Sequence, residues 1–144
     1  MDVAPCDPAA LLRSCADEVG AAGFVLETGA APQTWPLDER RMRQALTNVL
    51  RNARQATPAD ILAEASVRRD GDALTFTVRD RGPGIEPGDE RRIFAPFYTT
   101  RTSGTGLGLT VALRIAELHG GTIVARNHPE GGAEFRVTIP RAAA

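Results

Sequence analysis

The run DERRMRQALTNVLRNARQAT (38–57) constrains this fold more than any other feature of the chain. At about 100° per residue, Met42, Ala45, Leu46, Val49, Leu50, Ala53 and Ala56 align on one side of a helix. Such a stripe must lie against an apolar surface supplied by the rest of the chain. Asp38 is a good N-cap, Glu39 sits in the favourable first turn, and Pro58 closes the helix. The surrounding pattern is mostly strand-like. FVLET (24–28), ILAEASVRR (61–69), ALTFTVRD (73–80), GTIVARN (121–127) and AEFRVTI (133–139) read as strands, and TWPL (34–37) as a further extended piece. Asp70-Gly71-Asp72 marks a hairpin, and Pro-Glu-Gly-Gly a second turn before the last strand. Helices are expected over 8–21, capped by Asp7 and stopped by Gly20 and Gly23, and over 106–119. The expected architecture is a two-layer α+β sandwich in which three helices cover one face of a mixed, mostly antiparallel sheet.

Length and composition set the outer limits. A chain of 144 residues is expected to form one domain over 1–144, with no internal repeat or linker. Seventeen basic and eighteen acidic residues give a net charge of −1, so no global field draws the chain to nucleic acid or to a membrane. Cys6 and Cys15 form no CxxC and have no His cluster beside them, so free thiols are expected and neither a disulfide nor a zinc site. The amino terminus MDVAPCDPAA lacks both the basic start and the apolar core of a signal peptide, and a soluble, cytosolic domain is expected.

Several features do not serve packing. Asn48, Asn52 and Gln55 fall at i, i+4 and i+7, one edge beside the apolar stripe. Asn is a weak helix former because its short amide competes for backbone hydrogen bonds. Two readings remain open for the stacked pair: hydrogen bonds to neighbouring loops, or oxygen ligands for a hard cation such as Mg²⁺, which takes few protein ligands when phosphates supply the rest. Asp80 ends a strand and leads into RGPGI, where Gly82 and Gly84 permit a tight turn. It either caps its own amides or stands as a carboxylate at a pocket floor, accepting from an amino group. From Gly82 to Ser103 no long element is expected, and loops of that length in compact domains are usually functional or disordered. Phe94 and Phe97 flank Ala95-Pro96 and suit anchoring of this loop or ordinary satellite packing, and Thr99, Thr100 and Arg101 suit phosphate oxygens or plain solvation. Then SGTGLGLT (103–110) puts Gly104, Gly106 and Gly108 where a helix is about to form, although glycine costs about 1 kcal/mol relative to alanine in a helix interior. Glycines allow backbone N–H groups to approach a polyphosphate, and the helix start adds unpaired N–H groups and the positive dipole end. The stretch contains no GxxxxGK and follows no strand, so it is neither a P-loop nor a dinucleotide fingerprint.

Taken in order, these pieces resemble the catalytic ATP-binding domain of bacterial sensor histidine kinases, within the wider family that includes gyrase, Hsp90 and MutL. NVLRNA (48–53) resembles the N box, DRGPGI (80–85) the G1 box, IFAPF (93–97) the F box and GTGLGL (104–109) the G2 box. The run IFAPFYTTRTSGTGLGL is most similar to the soluble-type kinases of nitrogen regulation. The resemblance implies the Bergerat fold and an ATP site with Mg²⁺ held by Asn52 and Asn48 lining it. It implies that Asp80 receives the adenine amino group, with Gly82, Gly84 and Ile85 shaping the pocket. Phe97, Thr99, Thr100 and Arg101 would belong to the mobile segment, Arg101 near the terminal phosphate. Gly104, Thr105, Gly106, Leu107, Gly108 and Leu109 would form the phosphate side of the lid. Gln55 departs from the Lys or His that many relatives use to touch phosphate, with Arg51 or Arg54 as substitutes.

Position 48 carries information of its own. In hydrolysing members of the wider family a Glu stands there to activate water, whereas the Asn48 amide has no useful basicity. That favours phosphoryl transfer to a separate nucleophile. His119 ends a helix, where it suits the dipole, and His128 lies in an exposed turn, so neither is expected to accept a phosphoryl group. The expected partners are a His-bearing dimerisation domain, on the same or another chain, and a downstream response regulator. No nucleic-acid partner and no membrane contact are expected, and the isolated domain should be monomeric and unable to autophosphorylate. A stand-alone anti-sigma-type serine kinase and a nucleotide sensor without catalytic output are the competing readings.

Overall fold

A computed structural model describes residues 1–96, 98 and 107–141. The chain runs β1 (Ala4–Cys6), α1 (Pro8–Val19), β2 (Phe24–Glu27), β3 (Trp35–Leu37), α2 (Glu39–Ala56), β4 (Ala63–Asp70), β5 (Ala73–Arg79), α3 (Gly108–Leu118), β6 (Thr122–Asn127) and β7 (Ala133–Pro140). A five-stranded sheet has the order β2-β4-β5-β7-β6. The β2–β4 pair is parallel and the other three pairs are antiparallel, so the sheet is mixed in the expected sense. The TWPL segment does not join that sheet. It forms β3, which pairs antiparallel with β1 in a separate two-stranded sheet. β1 was not expected, because three residues containing a proline carry no usable alternation.

Helix boundaries follow the capping chemistry. Asp7 accepts from the Ala10 amide at the start of α1, and Asp38 accepts from the Arg41 amide at the start of α2. Burial alone would raise the Asp38 carboxyl, but the Asp2 and Arg41 amides and the nearby Arg41 guanidinium outweigh it and hold it below its ordinary value. Gly20, at φ 134°, ends α1 slightly earlier than the expected boundary. Thr57 closes α2, and Arg54 completes the stop by donating to the carbonyls of Gly23, Thr57, Pro58 and Ile61.

The core lies between the helices and one face of the sheet. Leu74, Phe76 and Val78 of β5 and Val137 and Ile139 of β7 are fully buried, facing Met42, Leu46, Val49 and Leu50 of α2 and Leu12 of α1. Burying each side chain of this size contributes about 1.5–3 kcal/mol relative to exposure. Cys6 and Cys15 are buried free thiols. The opposite face carries a row of alternating charge set by the register: Glu64 opposite Arg79, Arg79 opposite Glu134, and Glu134 opposite Arg126. A cavity of about 330 Å³ on this face is lined by residues including Glu64, Arg79, His128 and Glu134. It lies on the far side of the sheet from α2 and its asparagines. No helix among the described residues is long and apolar enough to cross a membrane.

Candidate functional site

The polar edge of α2 connects two segments far apart in sequence. Asn48 donates from Nδ2 to the Gly108 carbonyl at 3.1 Å, tying α2 to the first turn of α3. Two turns further on, Gly82 lies so close to α2 that a Cβ there would come within 2.5 Å of the Ala56 carbonyl oxygen. Asn48, Asn52 and Ala56 stand at i, i+4 and i+8, so they share a face spanning about 12 Å along the helix. Asn52, half-buried, therefore sits between the Gly-rich turn after β5 and the start of α3. The loop-bonding reading of the asparagines holds for the Asn48 Nδ2 group; it says nothing against a role for the amide oxygens. Gln55 is exposed. Arg51 is exposed as well, and Arg54, one of the two substitutes expected for a phosphate contact, has its guanidinium engaged by the four carbonyls at the end of α2.

Asp80 is the buried end of this edge, at 3% exposure. Its Oδ1 accepts from the Gly82 amide at 3.0 Å and the Ala133 amide at 2.9 Å. Its own N–H donates to the Ala133 carbonyl. The two readings of Asp80 thus divide between its oxygens. Oδ1 caps local amides, while Oδ2 receives no hydrogen bond from any described residue. Burial of a carboxylate with one oxygen satisfied leaves a strong acceptor for a donor of suitable geometry.

Residues to which the sequence reading gave no part in the site hold this geometry. The Arg81 amide donates to Thr57 Oγ1, which itself donates to the Ala53 carbonyl, so the turn after β5 is latched to the C-terminus of α2. Gly132, at φ 80°, packs against the Asp80 carbonyl so closely that any Cβ would collide with it. Asn127, at the end of β6, bonds both backbone groups of Ile85. The Thr-Pro pair after the helix, the Gly131-Gly132 pair and a terminal strand Asn were the available signals, and each also occurs in ordinary turns.

α3 starts at Gly108 rather than near 106, with Leu107 at the N-cap position and no side-chain cap. Leu109 is half-buried against the core. Phe94 is buried and meets Phe135 edge-on, with ring centroids 6.4 Å apart, and Thr110 Oγ1 donates to the Phe94 carbonyl at 2.7 Å. Phe94 is thus an anchor beneath the start of α3. Phe97, Thr99, Thr100, Arg101, Gly104, Thr105 and Gly106 lie outside the described residues. Among the described residues no group of three or more His, Cys, Asp or Glu is placed to hold a metal ion. His119 is engaged at both ring nitrogens, Nδ1 with the Ile115 carbonyl and Nε2 with the Asp38 amide, consistent with a structural part. His128, half-buried rather than exposed, accepts at Nδ1 from the Glu130 amide.

Residues 37–143 match the family described as "Histidine kinase-, DNA gyrase B-, and HSP90-like ATPase". Curated relatives include the sensor protein KdpD of Escherichia coli, 43% identical over 110 residues that make up 74% of this chain and 12% of KdpD. The nitrogen regulation protein NtrY of Azorhizobium caulinodans is 40% identical over 71% of this chain and 14% of its own length. The sensor histidine kinase CpxA of Escherichia coli is 34% identical over 90% of this chain and 30% of its own length. This chain thus spans less than a third of each of these relatives. Among solved structures, the nucleotide-free catalytic domain of histidine kinase ThkA superposes with a TM-score of 0.88 at 29% identity, covering 98% of this chain and 97% of that one. Full-length ShkA in complex with AMPPNP gives 0.86 at 31% identity, covering all of this chain and 32% of that one. The chain belongs to the histidine kinase-, DNA gyrase B- and HSP90-like ATPase family, and its fold is that of a histidine kinase catalytic domain.

Proposed function

We propose that this domain binds ATP with Mg²⁺ along the α2 edge and donates the γ-phosphoryl group to a histidine on a helical dimerisation domain. The observation that carries the reading is the edge itself: Asn52 lies between Gly82, packed on Ala56, and Gly108, bonded to Asn48. Its span of about 12 Å suits a nucleoside at one end and a polyphosphate at the other. Asp80 Oδ2 at the buried end would accept from the adenine amino group. Guanine, with a carbonyl at that ring position, would meet the carboxylate with a second acceptor. The α3 N-terminus, with no side-chain cap, would turn its first N–H groups toward phosphate oxygens.

The donor set fits the ion. Asn52 supplies an amide oxygen, the ligand type hard cations take, and phosphate oxygens and water complete the shell. When bound, Mg²⁺ neutralises charge on the phosphate oxygens. Asn52 would orient the phosphates, Arg101 would stand near the terminal one, and the residues from Phe97 through Leu109 would cover them. The attacking imidazole nitrogen forms the new N–P bond as the bond from the γ-phosphorus to the bridging oxygen breaks and ADP departs. Asn48 offers no base to water, which favours transfer over hydrolysis. A response regulator would take the phosphoryl group from the histidine. We place the domain in the cytoplasm, as a monomer in isolation, with neither nucleic acid nor membrane as a partner.

Incubation with [γ-³²P]ATP and a separately expressed histidine-bearing helical domain tests this. Acid-labile label on the partner is expected. Acid-stable label on serine would replace the reading with a serine kinase, and ATP binding without any label would leave a nucleotide sensor.

A further inference from the structure

The turn after β5 is gripped at both ends by the β6–β7 hairpin. At one end Asp80 exchanges bonds with Ala133 and abuts Gly132. At the other end Asn127 acts on Ile85 as a neighbouring strand would: its Oδ1 accepts from the Ile85 amide at 2.6 Å, and its Nδ2 donates to the Ile85 carbonyl at 2.9 Å. A primary amide is the one short side-chain group that presents a donor and an acceptor side by side. Gly84, at φ 87°, lies against this amide, and a Cβ there would sit 2.6 Å from Asn127 Oδ1. The hairpin turn is braced in its own right. His128 and Gly132 are bonded across it, and Arg79 donates to the Gly131 carbonyl at 3.0 Å.

We infer that Asn127 is a positioning residue for base selection: by closing Ile85 onto the end of β6 it fixes the 80–85 turn against Asp80 and so sets how strictly the site distinguishes adenine from guanine. The inference rests on the nucleotide reading given above. Asp80 discriminates only while the wall formed by Gly82, Gly84 and Ile85 keeps the base at one depth and one tilt. A turn free at Ile85 could accommodate a shifted guanine whose carbonyl avoids the carboxylate. Ile85 also packs on the core through its side chain, so release of its backbone loosens the turn without unfolding the sheet.

The test uses the full 144-residue chain and two variants, Asn127→Asp and Asn127→Ala, with ATP and GTP affinities measured by calorimetry and hydrogen exchange followed at the Ile85 amide. Asn127→Asp keeps the shape and the acceptor but turns an oxygen toward the Ile85 carbonyl; Asn127→Ala removes both bonds. Each variant should weaken ATP about three- to tenfold, the scale of a lost hydrogen-bonded contact, while GTP weakens less, so the ATP:GTP preference narrows. Ile85 exchange should accelerate in both. A purely structural Asn127 would lower both affinities in proportion, and an unchanged preference in folded variants overturns the inference even if Ile85 exchanges faster. Failure of both variants to fold overturns it too, since the residue would then be a folding determinant. A wild-type chain indifferent to ATP is a separate outcome, which overturns the nucleotide reading itself and this inference with it.

Discussion

Asn48 and Gly108, sixty positions apart, are joined by a 3.1 Å bond from side-chain amide to backbone carbonyl. The bond fixes where α3 begins relative to α2. An asparagine in mid-helix, unfavourable by propensity, thus serves as an interhelical tie.

Asn48→Ala should destabilise the domain by about 0.5–1.5 kcal/mol, the usual net value of such a bond. Denaturant unfolding reads this directly. An unchanged midpoint would show that the tie is worth no more than the helix propensity that alanine restores.

Asp80→Asn separates the two carboxylate oxygens. The substituted amide keeps a carbonyl oxygen for Gly82 and Ala133, so the thermal midpoint should stay near wild type. Its NH₂ group cannot accept from adenine, so ATP affinity should fall about 10- to 100-fold, the range for a hydrogen bond to a charged group. Calorimetry giving near wild-type affinity would remove Asp80 from the adenine contact.

Asn52→Ala removes the amide oxygen proposed for Mg²⁺. ATP affinity in the variant should become insensitive to Mg²⁺, measured by titration with and without EDTA. A metal response equal to wild type would assign the ion to other ligands.

Cys15 gives a pH prediction. Burial pushes its thiol from 9.0 up to about 12, against the opposing pull of Arg43. The folded value lies above the unfolded one, so this contribution to stability is complete below pH 9 and is lost as pH rises from about 9 toward 12. At pH 8 Cys15 should resist a disulfide reagent in native protein and react promptly in urea. Fast native labelling at Cys15 would contradict the burial.

Much of the fold was legible in the chain. The apolar stripe of α2, the Asp38 cap, the hairpin at Gly71 and the alternation of β5 and β7 are local signals, decided by residues within a turn or a strand of one another. Each of the N, G1, F and G2 stretches by itself left more than one reading open, and it was their order along the chain that resembled one family. What the sequence could not assign depends on partners distant along the chain. Arg54 reads as one of two alternative substitutes for a phosphate contact until the fold brings four carbonyls around it. The TWPL segment reads only as an extended piece of unassigned partner until β1 pairs with it. Oδ1 and Oδ2 of Asp80 are equivalent in sequence, and only the arrival of Ala133 from β7 makes one a structural acceptor and leaves the other without a donor among the described residues. Asn127 was read only as the last residue of a strand, because the Ile85 backbone that matches its amide lies across the fold. Residue type fixes what a side chain can bond; packing of remote segments fixes which of those bonds it makes.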